Sequence, residues 1–558
     1  MRERLFVGIL LAAVLLVYGN TLANQFTMDD GLYIQHNPQV TDPSVHQLFS
    51  PNRFSNVFRP VTFATLALNW ALGGNQPVGY HLFNLMLHAG VTWLLYCLLL
   101  EILEDSPHVK TVSFVAALLF AVHPVHTEAV ASAVGRAELL AAGFLLAAWI
   151  FHLRDRRIMS VLCFVLALLS KESAVAFFPL VVIGDYATKK WKPRVRYAIV
   201  AGITALYLGA LWKIQGGRFG QANISFLDNP LASLPAGWRI LNALRVAWKY
   251  AGLHVYPAAL SCDYSFNEIP IYRDLLHTLP AALAAAAVLG LWTWAISKRH
   301  TGWILAGGIY FAGFATTANI LMPTGTIMGE RLAYLPSAGF CLLLALGWIW
   351  LKDRKRYVAI GLIAIVIAAF GARAVARNRD WKDNFALYSA AVRAAPASAK
   401  MHSNLGGRYM ERNQIDLARA EFQTALRIDP AYPDALSSYG ALELSLGNYQ
   451  AAGALLEKAL NMSARNNPNY DSMAVNFAVA LARTNHVHAA LDLLNREIAE
   501  SPKFAPAWSV RATIRYKRRE IEMAREDAEM ALQLDPGDVQ TQNLIPILSA
   551  SESVGSPR

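Results

Sequence analysis

Long apolar runs recur through the first two thirds of the chain, near 5–20, 81–103, 111–122, 137–153, 158–170, 173–187, 197–213, 273–296, 301–321, 334–351 and 357–371. Apolar stretches approaching ~20 residues match the hydrocarbon thickness of a bilayer. The pattern predicts an all-α, polytopic membrane domain over 1–378 with about 11 transmembrane helices. Segment 238–257 is also apolar but carries Arg239, Arg245, Lys249 and His254. We expect it to lie at the outer surface or re-enter from it.

Beyond about 399 the pattern becomes soluble and repeats every 34 residues. Unit 399–432 has Leu405-Gly406, Tyr409, Ala418, Phe422, Ala425 and Pro430. Unit 433–466 has Tyr439-Gly440, Ala452, Leu456 and Ala459. Unit 471–504 has Ala478, Ala490, Leu494 and Pro502, and unit 505–538 has Trp508, Ala512, Ala524, Ala528, Ala531 and Pro536. A half-unit, 382–398, has Tyr388, Ala391 and Pro396. Small residues at fixed spacing let paired helices approach, and this spacing is that of tetratricopeptide (TPR) repeats. The expected second domain is a TPR α-solenoid over 379–545, followed by a flexible tail, 546–558. Such an array offers a concave surface to an extended peptide.

Composition supports a membrane body: 55% hydrophobic residues, 16% charged residues and a mean hydropathy of +0.31. The net charge of +11 reads as topology rather than nucleic-acid binding. Arg2/Arg4, Lys110, Arg154/Arg156/Arg157, Lys189–Arg196, Lys298/Arg299 and Lys352–Arg356 mark every second connection, the positive-inside pattern. It predicts a cytoplasmic N-terminus, an uncleaved first span and an extracytoplasmic TPR domain. The four cysteines, Cys97, Cys163, Cys262 and Cys341, form no disulfide or metal-ligand spacing.

Runs 111–122, 158–170 and 173–187 are too short to cross comfortably, and polar residues stand at their outer ends. We expect a recessed, outward-facing cavity there, because irregular backbone at membrane depth survives only in protein or beside water. The long outer loop 21–79 brings Phe26-Thr27-Met28-Asp29-Asp30, either a solvated loop end or general-base carboxylates beside that cavity. An outer segment, 214–272, adds Asp263. His123, His126 and Glu128 lack a further carboxylate at metal-binding spacing, and no metal is predicted. Arg136 and Glu138, and Lys171 and Glu172, are either ion pairs or site residues. Glu330-Arg331 leads into the tenth run, where Arg331 is either a phosphate ligand or a snorkelling anchor.

Taken in order, several blocks resemble a known family: Asp29-Asp30, Arg59-Pro60-Val61-Thr62-Phe63, Gly79-Tyr80-His81-Leu82-Phe83-Asn84, the run from His123 to Ala131, Gly135-Arg136-Ala137-Glu138, Lys171-Glu172, the run from Glu330 to Phe340, and Arg379-Asp380-Trp381. With the C-terminal repeats they resemble the transmembrane and TPR repeat-containing O-mannosyltransferases (TMTC), GT-C glycosyltransferases. The resemblance implies a GT-C-type membrane domain. It also implies inverting transfer of a monosaccharide, mannose, from a polyprenyl-phosphate donor to Ser or Thr of a protein held by the repeats, without a cofactor. Asp29 or Asp30 would be the base, with Asp29 favoured. Arg331, then Lys171 and Arg136, would meet the donor phosphate. His81, His123, His126, Glu128, Glu138, Glu172, Glu330 and Asp263 would meet sugar or acceptor. Few repeats and short loops look more like a bacterial relative, in the inner membrane and facing the periplasm, than like members acting in the ER lumen. Two other readings are a non-catalytic membrane TPR receptor or assembly factor, and a GT-C enzyme acting on a lipid or glycan.

Overall fold

A computed structural model describes residues 2–52, 57–217 and 224–555. Parts of the two outer segments, 53–56 and 218–223, and the end of the expected tail, 556–558, lie outside the described residues. Within them the chain is helical and has no strand. It divides into two compact units, 1–397 and 398–558.

Each of the eleven apolar runs becomes a helix in the first unit: α1 (Arg2–Tyr18), α3 (Pro77–Ile102), α4 (Val109–Val122), α6 (Arg136–Leu153), α7 (Arg157–Ser170), α8 (Phe177–Thr188), α9 (Arg194–Ile214), α11 (Leu275–Ser297), α12 (Thr301–Phe314), α13 (Tyr334–Lys352) and α14 (Arg356–Asp380). Between them stand α2 (Pro60–Gly73), α5 (Thr127–Ala131) and α10 (Ala236–Val255), and α15 (Asn384–Ala394) closes the unit. The expected eleven spans are nevertheless corrected. Among the described residues, seven helices are long and apolar enough to cross a membrane, or eight if α4 and the segment Pro124–Ala131, bent by 51°, count as one. The reason is length. Helices α4, α7 and α12 have 14 residues and α8 has 12, about 21 Å or less at 1.5 Å per residue, against a ~30 Å hydrocarbon core.

One core unites Tyr18, Leu99, Phe120, Trp149, Phe164, Phe177, Tyr207, Leu305, Cys341 and Ala374 from ten of these eleven helices. Helix α11 adds no buried residue to it, touching it through Ile296, with only 6% of its apolar window buried. A second core packs α10, through Ala243, Val246 and Tyr250, against 227–234, 260–269 and 314–333. Helix α10 is not among the helices apolar enough to cross. The outer loop is folded rather than open: Ile34, Val40, Phe63, Leu66, Tyr80 and Ala133 make a small core of their own. The ends of α1 and α14 meet. Asn378 Nδ2 donates to Val17 O and Asn20 Oδ1, both at 2.8 Å, and Gln25 N donates to Lys382 O at 2.8 Å. Helix α14 therefore ends beside the loop by which α1 leads to Asp29.

The second unit is a run of antiparallel helix pairs: α16 (Ala399–Glu411) with α17 (Ile415–Ile428), α18 (Pro433–Ser445) with α19 (Tyr449–Met462), α20 (Tyr470–Arg483) with α21 (Val487–Glu500), and α22 (Ala505–Lys517) with α23 (Ile521–Leu534). The half-unit 382–398 falls almost wholly in the first unit, as α15. The period has a local cause. Each pair turns through one left-handed residue, Asn413 (φ 58°), Gly447 (φ 80°), Asn485 (φ 68°) and Arg519 (φ 64°), a conformation that Gly and Asn tolerate best. The pairs close tightly at Gly406, where an added Cβ would come within 2.7 Å of the Phe422 ring. Helix α24 (Val539–Gly555) continues through 546–555, where a flexible tail is expected. It persists because Leu544 and Leu548 bury against Ala512, Ala524 and Ala528, closing the end of the apolar stack.

Candidate functional site

The loop after α1 sets the site by splitting its two carboxylates. Met28 adopts a left-handed backbone (φ 46°) and donates its N–H to Asn384 Oδ1 at 2.8 Å. This forced turn sends the two following side chains apart. Asp30 is fully buried. It accepts from Thr27 N at 3.0 Å, Val134 N at 3.0 Å, Ala133 N at 3.4 Å and Ser132 Oγ at 3.4 Å. Burial raises its pKa to about 6 against the pull of those backbone N–H groups. It pins the loop to the turn between α5 and α6. That turn is tight: a Cβ on Gly135 would come within 2.4 Å of Ala129 O. Asp29 stays 39% exposed and faces Arg331 Nη1 at 3.4 Å.

Arg331 is the centre of a row of charges. Its Nε lies 3.4 Å from Glu128 Oε1, and its backbone N donates to Glu128 Oε2 at 2.9 Å. Lys171 pairs with Glu138, both buried. Arg59 forks onto Glu172, Nη2 to Oε1 at 2.7 Å and Nε to Oε2 at 3.0 Å. The sequence pairs Arg136 with Glu138 and Lys171 with Glu172. The fold exchanges these partners because three loop ends converge, and Thr62 Oγ1 on α2 donates to Ser170 O at 2.9 Å, setting Arg59 beside Glu172. Burial works against ionisation of Glu172 and Arg59 overrides it, holding the carboxyl at about 2. Burial lowers the Lys171 pKa while Glu138 opposes the fall. Glu138 acts electrostatically on Arg331 and Arg59 as well, so the row is continuous. Its accessible members are Asp29, Arg331 (33% exposed), Arg59 (22%) and Glu172 (45%), with Glu128, Glu138 and Lys171 behind them.

Several expected ligands are committed elsewhere. Arg136, expected at the donor phosphate, is fully buried and spends its guanidinium on Asn84 Oδ1 (3.0 Å), Thr65 O (2.9 Å) and Tyr80 O (3.2 Å), with the Phe83 ring 4.5 Å away. His81 is fully buried, and unlike the others neither of its ring nitrogens has a hydrogen-bond partner among the described residues. His123 and His126 point into an aromatic cluster with His88, His254, Phe120 and Tyr334. The His126 Nε2 lies 2.7 Å from Ser337 Oγ, and His123 Nε2 lies 3.1 Å from His254 O. Glu330 is fully buried, accepting from Ser261 N at 2.6 Å and Tyr264 OH at 2.8 Å, with Arg377 3.7 Å away. Asp263 closes on Ser265 through Ser265 N at 3.0 Å. Arg136, His123, His126, Glu330 and Asp263 are thus each buried and hydrogen-bonded within the protein, as polar groups beside membrane helices commonly are, although His126 Nδ1 and Glu330 Oε2 have no hydrogen-bond partner among the described residues. No group of three or more His, Cys, Asp or Glu side chains is placed to hold a metal among the described residues.

Sequence reasoning gave no role to Arg59, although it quotes the block that holds it. It also gives no role to His88, His254 and Arg377. Arg59 was discoverable: an arginine directly before the proline that opens a helix beside a membrane span needs a partner. The other three sit within helices, and nothing along the chain announces their partners.

The chain is similar to the Caenorhabditis elegans protein O-mannosyl-transferase F38B6.6, 31% identical over 76% of this chain and 63% of that protein. It is 26% identical to mouse protein O-mannosyl-transferase TMTC3 over 95% of this chain and 64% of that protein. It is 28% identical to human protein O-mannosyl-transferase TMTC4 over 72% and 63%. The chain thus spans less than two thirds of the length of the curated relatives it matches. These are animal proteins and lend no support to a bacterial source. A tetratricopeptide repeat family model matches residues 404–471. Among solved structures the chain is similar to YrrB, a TPR protein with an unusual peptide-binding site, at 17% identity, 35% of this chain, 96% of that one and a TM-score of 0.25.

Proposed function

From a membrane protein homologous over most of its length to the TMTC protein O-mannosyl-transferases, we propose a glycosyltransferase that moves a mannosyl group from a polyprenyl-phosphate donor to Ser or Thr hydroxyls of extracytoplasmic proteins, with inversion. One observation carries the reading: an accessible carboxylate, Asp29, stands at the head of a row with two accessible guanidiniums, Arg331 and Arg59. Asp29 takes the proton of the acceptor hydroxyl. The hydroxyl oxygen bonds to the anomeric carbon as the bond to the phosphate oxygen breaks, and polyprenyl phosphate leaves as an anion. Inversion needs nucleophile and leaving group on opposite sides of that carbon. The acceptor therefore sits at Asp29, and the phosphate lies along the row toward Arg59, with Arg331 between them. Guanidiniums suit the phosphate because they offer several aligned donors. The buried Lys171–Glu138 pair lies behind them and fixes the local field.

The remaining accessible carboxylate, Glu172, is available to sugar hydroxyls. Asp30 holds the loop so that Asp29 faces the acceptor. In this reading the N-terminus is cytoplasmic, and the site and the TPR repeats are extracytoplasmic, the repeats presenting an extended acceptor. The test is transfer of label from radiolabelled polyprenyl-phosphate mannose by the purified full-length protein, incubated with a Ser/Thr-rich protein extract. Label in protein, abolished by Asp29→Ala, supports the proposal. Label in lipid or glycan, or none with any acceptor, overturns it.

A further inference from the structure

On the outward side of α10, where α11 begins, lies a groove of about 520 Å³. None of its lining residues belongs to the charged row. Its lining combines Arg245, Lys249, Glu268 and His277 with Ile269, Pro280 and Ala284. Of the two cations, Lys249 is paired with Glu268 and Arg245 has no carboxylate in hydrogen-bond contact among the described residues. Helix α10 carries Arg239, Arg245 and Lys249 and no acidic residue. Arg245 Nη1 donates to Pro270 O at 2.7 Å and Asn242 Oδ1 at 3.2 Å. Its guanidinium lies 4.3 Å from the Tyr272 ring centre, and that ring stacks on His277 at 4.2 Å. This fixes the guanidinium plane and leaves Nη2 without a hydrogen bond among the described residues. Lys249 reaches Glu268 at 3.2 Å and remains partly exposed.

The apolar side continues as α11, a 23-residue helix of spanning length that is almost bare of protein. Leu276, Leu279 and Leu283 are exposed along it, while Ala281 and Ala284 leave a furrow beside Pro280. Trp248 stands exposed at the same level, as aromatic residues do at a membrane interface. A fixed guanidinium and a second basic residue, outnumbering the single carboxylate of the groove beside an apolar furrow, are complementary to a phosphate headgroup with its chains attached.

We propose that the α10–α11 groove binds an anionic glycerophospholipid, with its phosphate on Arg245 and Lys249 and its acyl chains along α11. A phosphate held here is not in the charged row, which separates this lipid from a sugar donor. The lipid steadies the site indirectly. Tyr250 follows Lys249, and its hydroxyl donates to Gly329 O and accepts from Gly329 N, both at 2.9 Å, next to Glu330 and Arg331.

The experiment titrates the delipidated full-length protein in detergent with phosphatidylglycerol, phosphatidylcholine and polyprenyl phosphate in turn, reading bound lipid by native mass spectrometry. Phosphatidylglycerol should bind roughly tenfold or more tighter than phosphatidylcholine. An R245Q/K249Q variant should lose that preference while keeping its lipid-free unfolding curve. Ala284→Leu, which fills the furrow and keeps the charges, should weaken phosphatidylglycerol binding by itself. Equal affinities in the unchanged protein, a preference that survives R245Q/K249Q, or displacement of phosphatidylglycerol by polyprenyl phosphate overturns the proposal. No readout depends on sugar transfer, so either outcome leaves the transferase reading standing.

Discussion

Asp29 and Asp30 are joined by one peptide bond and occupy opposite environments. The Asp30 carboxylate is fully buried and receives four protein hydrogen bonds, whereas the Asp29 carboxylate is accessible, with Arg331 3.4 Å away. The left-handed Met28 makes this division possible, and it separates the two residues by role.

Replacing each aspartate should therefore fail in a different assay. Asp29→Ala should reduce transfer by about 10²–10⁴-fold, the usual weight of a general base, with an unchanged unfolding curve. Asp30→Ala should lower stability by about 1–3 kcal/mol, because it strands buried N–H groups. Sugar-transfer assays and thermal unfolding in detergent measure the two. Full activity in Asp29→Ala removes the base.

The raised pKa of Asp30 fixes the sign of a pH effect. Its carboxyl has a pKa of about 6 in the folded protein, against 3.8 ordinarily, so the folded state binds the proton more tightly. The neutral form is the favoured one: the contribution is fully present below about 4 and is lost as pH rises through 6, on the order of 3 kcal/mol. Unfolding of the unchanged protein should show this component between those limits, and Asp30→Asn should lack it. An identical pH profile in both proteins contradicts the assignment.

Two arginines are separated by their kinetics. Arg331→Gln should lower kcat/KM for the donor by about 10²–10³-fold, as for loss of a group that stabilises developing charge. Arg136→Gln should lower the melting temperature and the yield while the folded fraction keeps its donor KM, because Arg136 bonds only to protein. A raised donor KM in Arg136→Gln would return that residue to the site.

The buried Lys171–Glu138 pair should behave as a unit. Lys171→Met leaves a carboxylate uncompensated and should destabilise the protein by about 3–5 kcal/mol. Adding Glu138→Leu should restore much of that stability without restoring transfer. A double-mutant cycle on unfolding in detergent measures the coupling, and additive effects would show that the pair is not coupled.

Truncating Leu548, which is fully buried against the last repeat, should destabilise the second unit by about 2–5 kcal/mol. Calorimetry of the full chain with Leu548→Ala measures it, and an unshifted repeat transition would mean that α24 is not part of the fold.

Local patterns are legible in this sequence wherever one residue type answers to one environment. Each of the eleven apolar runs becomes a helix of the first unit, because exclusion from water needs no partner to be named. The 34-residue spacing predicts the repeat pairs, since Gly406 and the left-handed Asn413, Gly447 and Asn485 meet requirements set within a single turn. What stayed hidden depends on residues far apart in the chain. The exchange that joins Lys171 to Glu138 and Arg59 to Glu172, the burial of Arg136, His123, His126 and Glu330, and the opposite fates of Asp29 and Asp30 follow from where loops meet. Charge and hydrogen bonding act across distances of a few ångströms, and only the tertiary structure decides which of 558 residues lie that close.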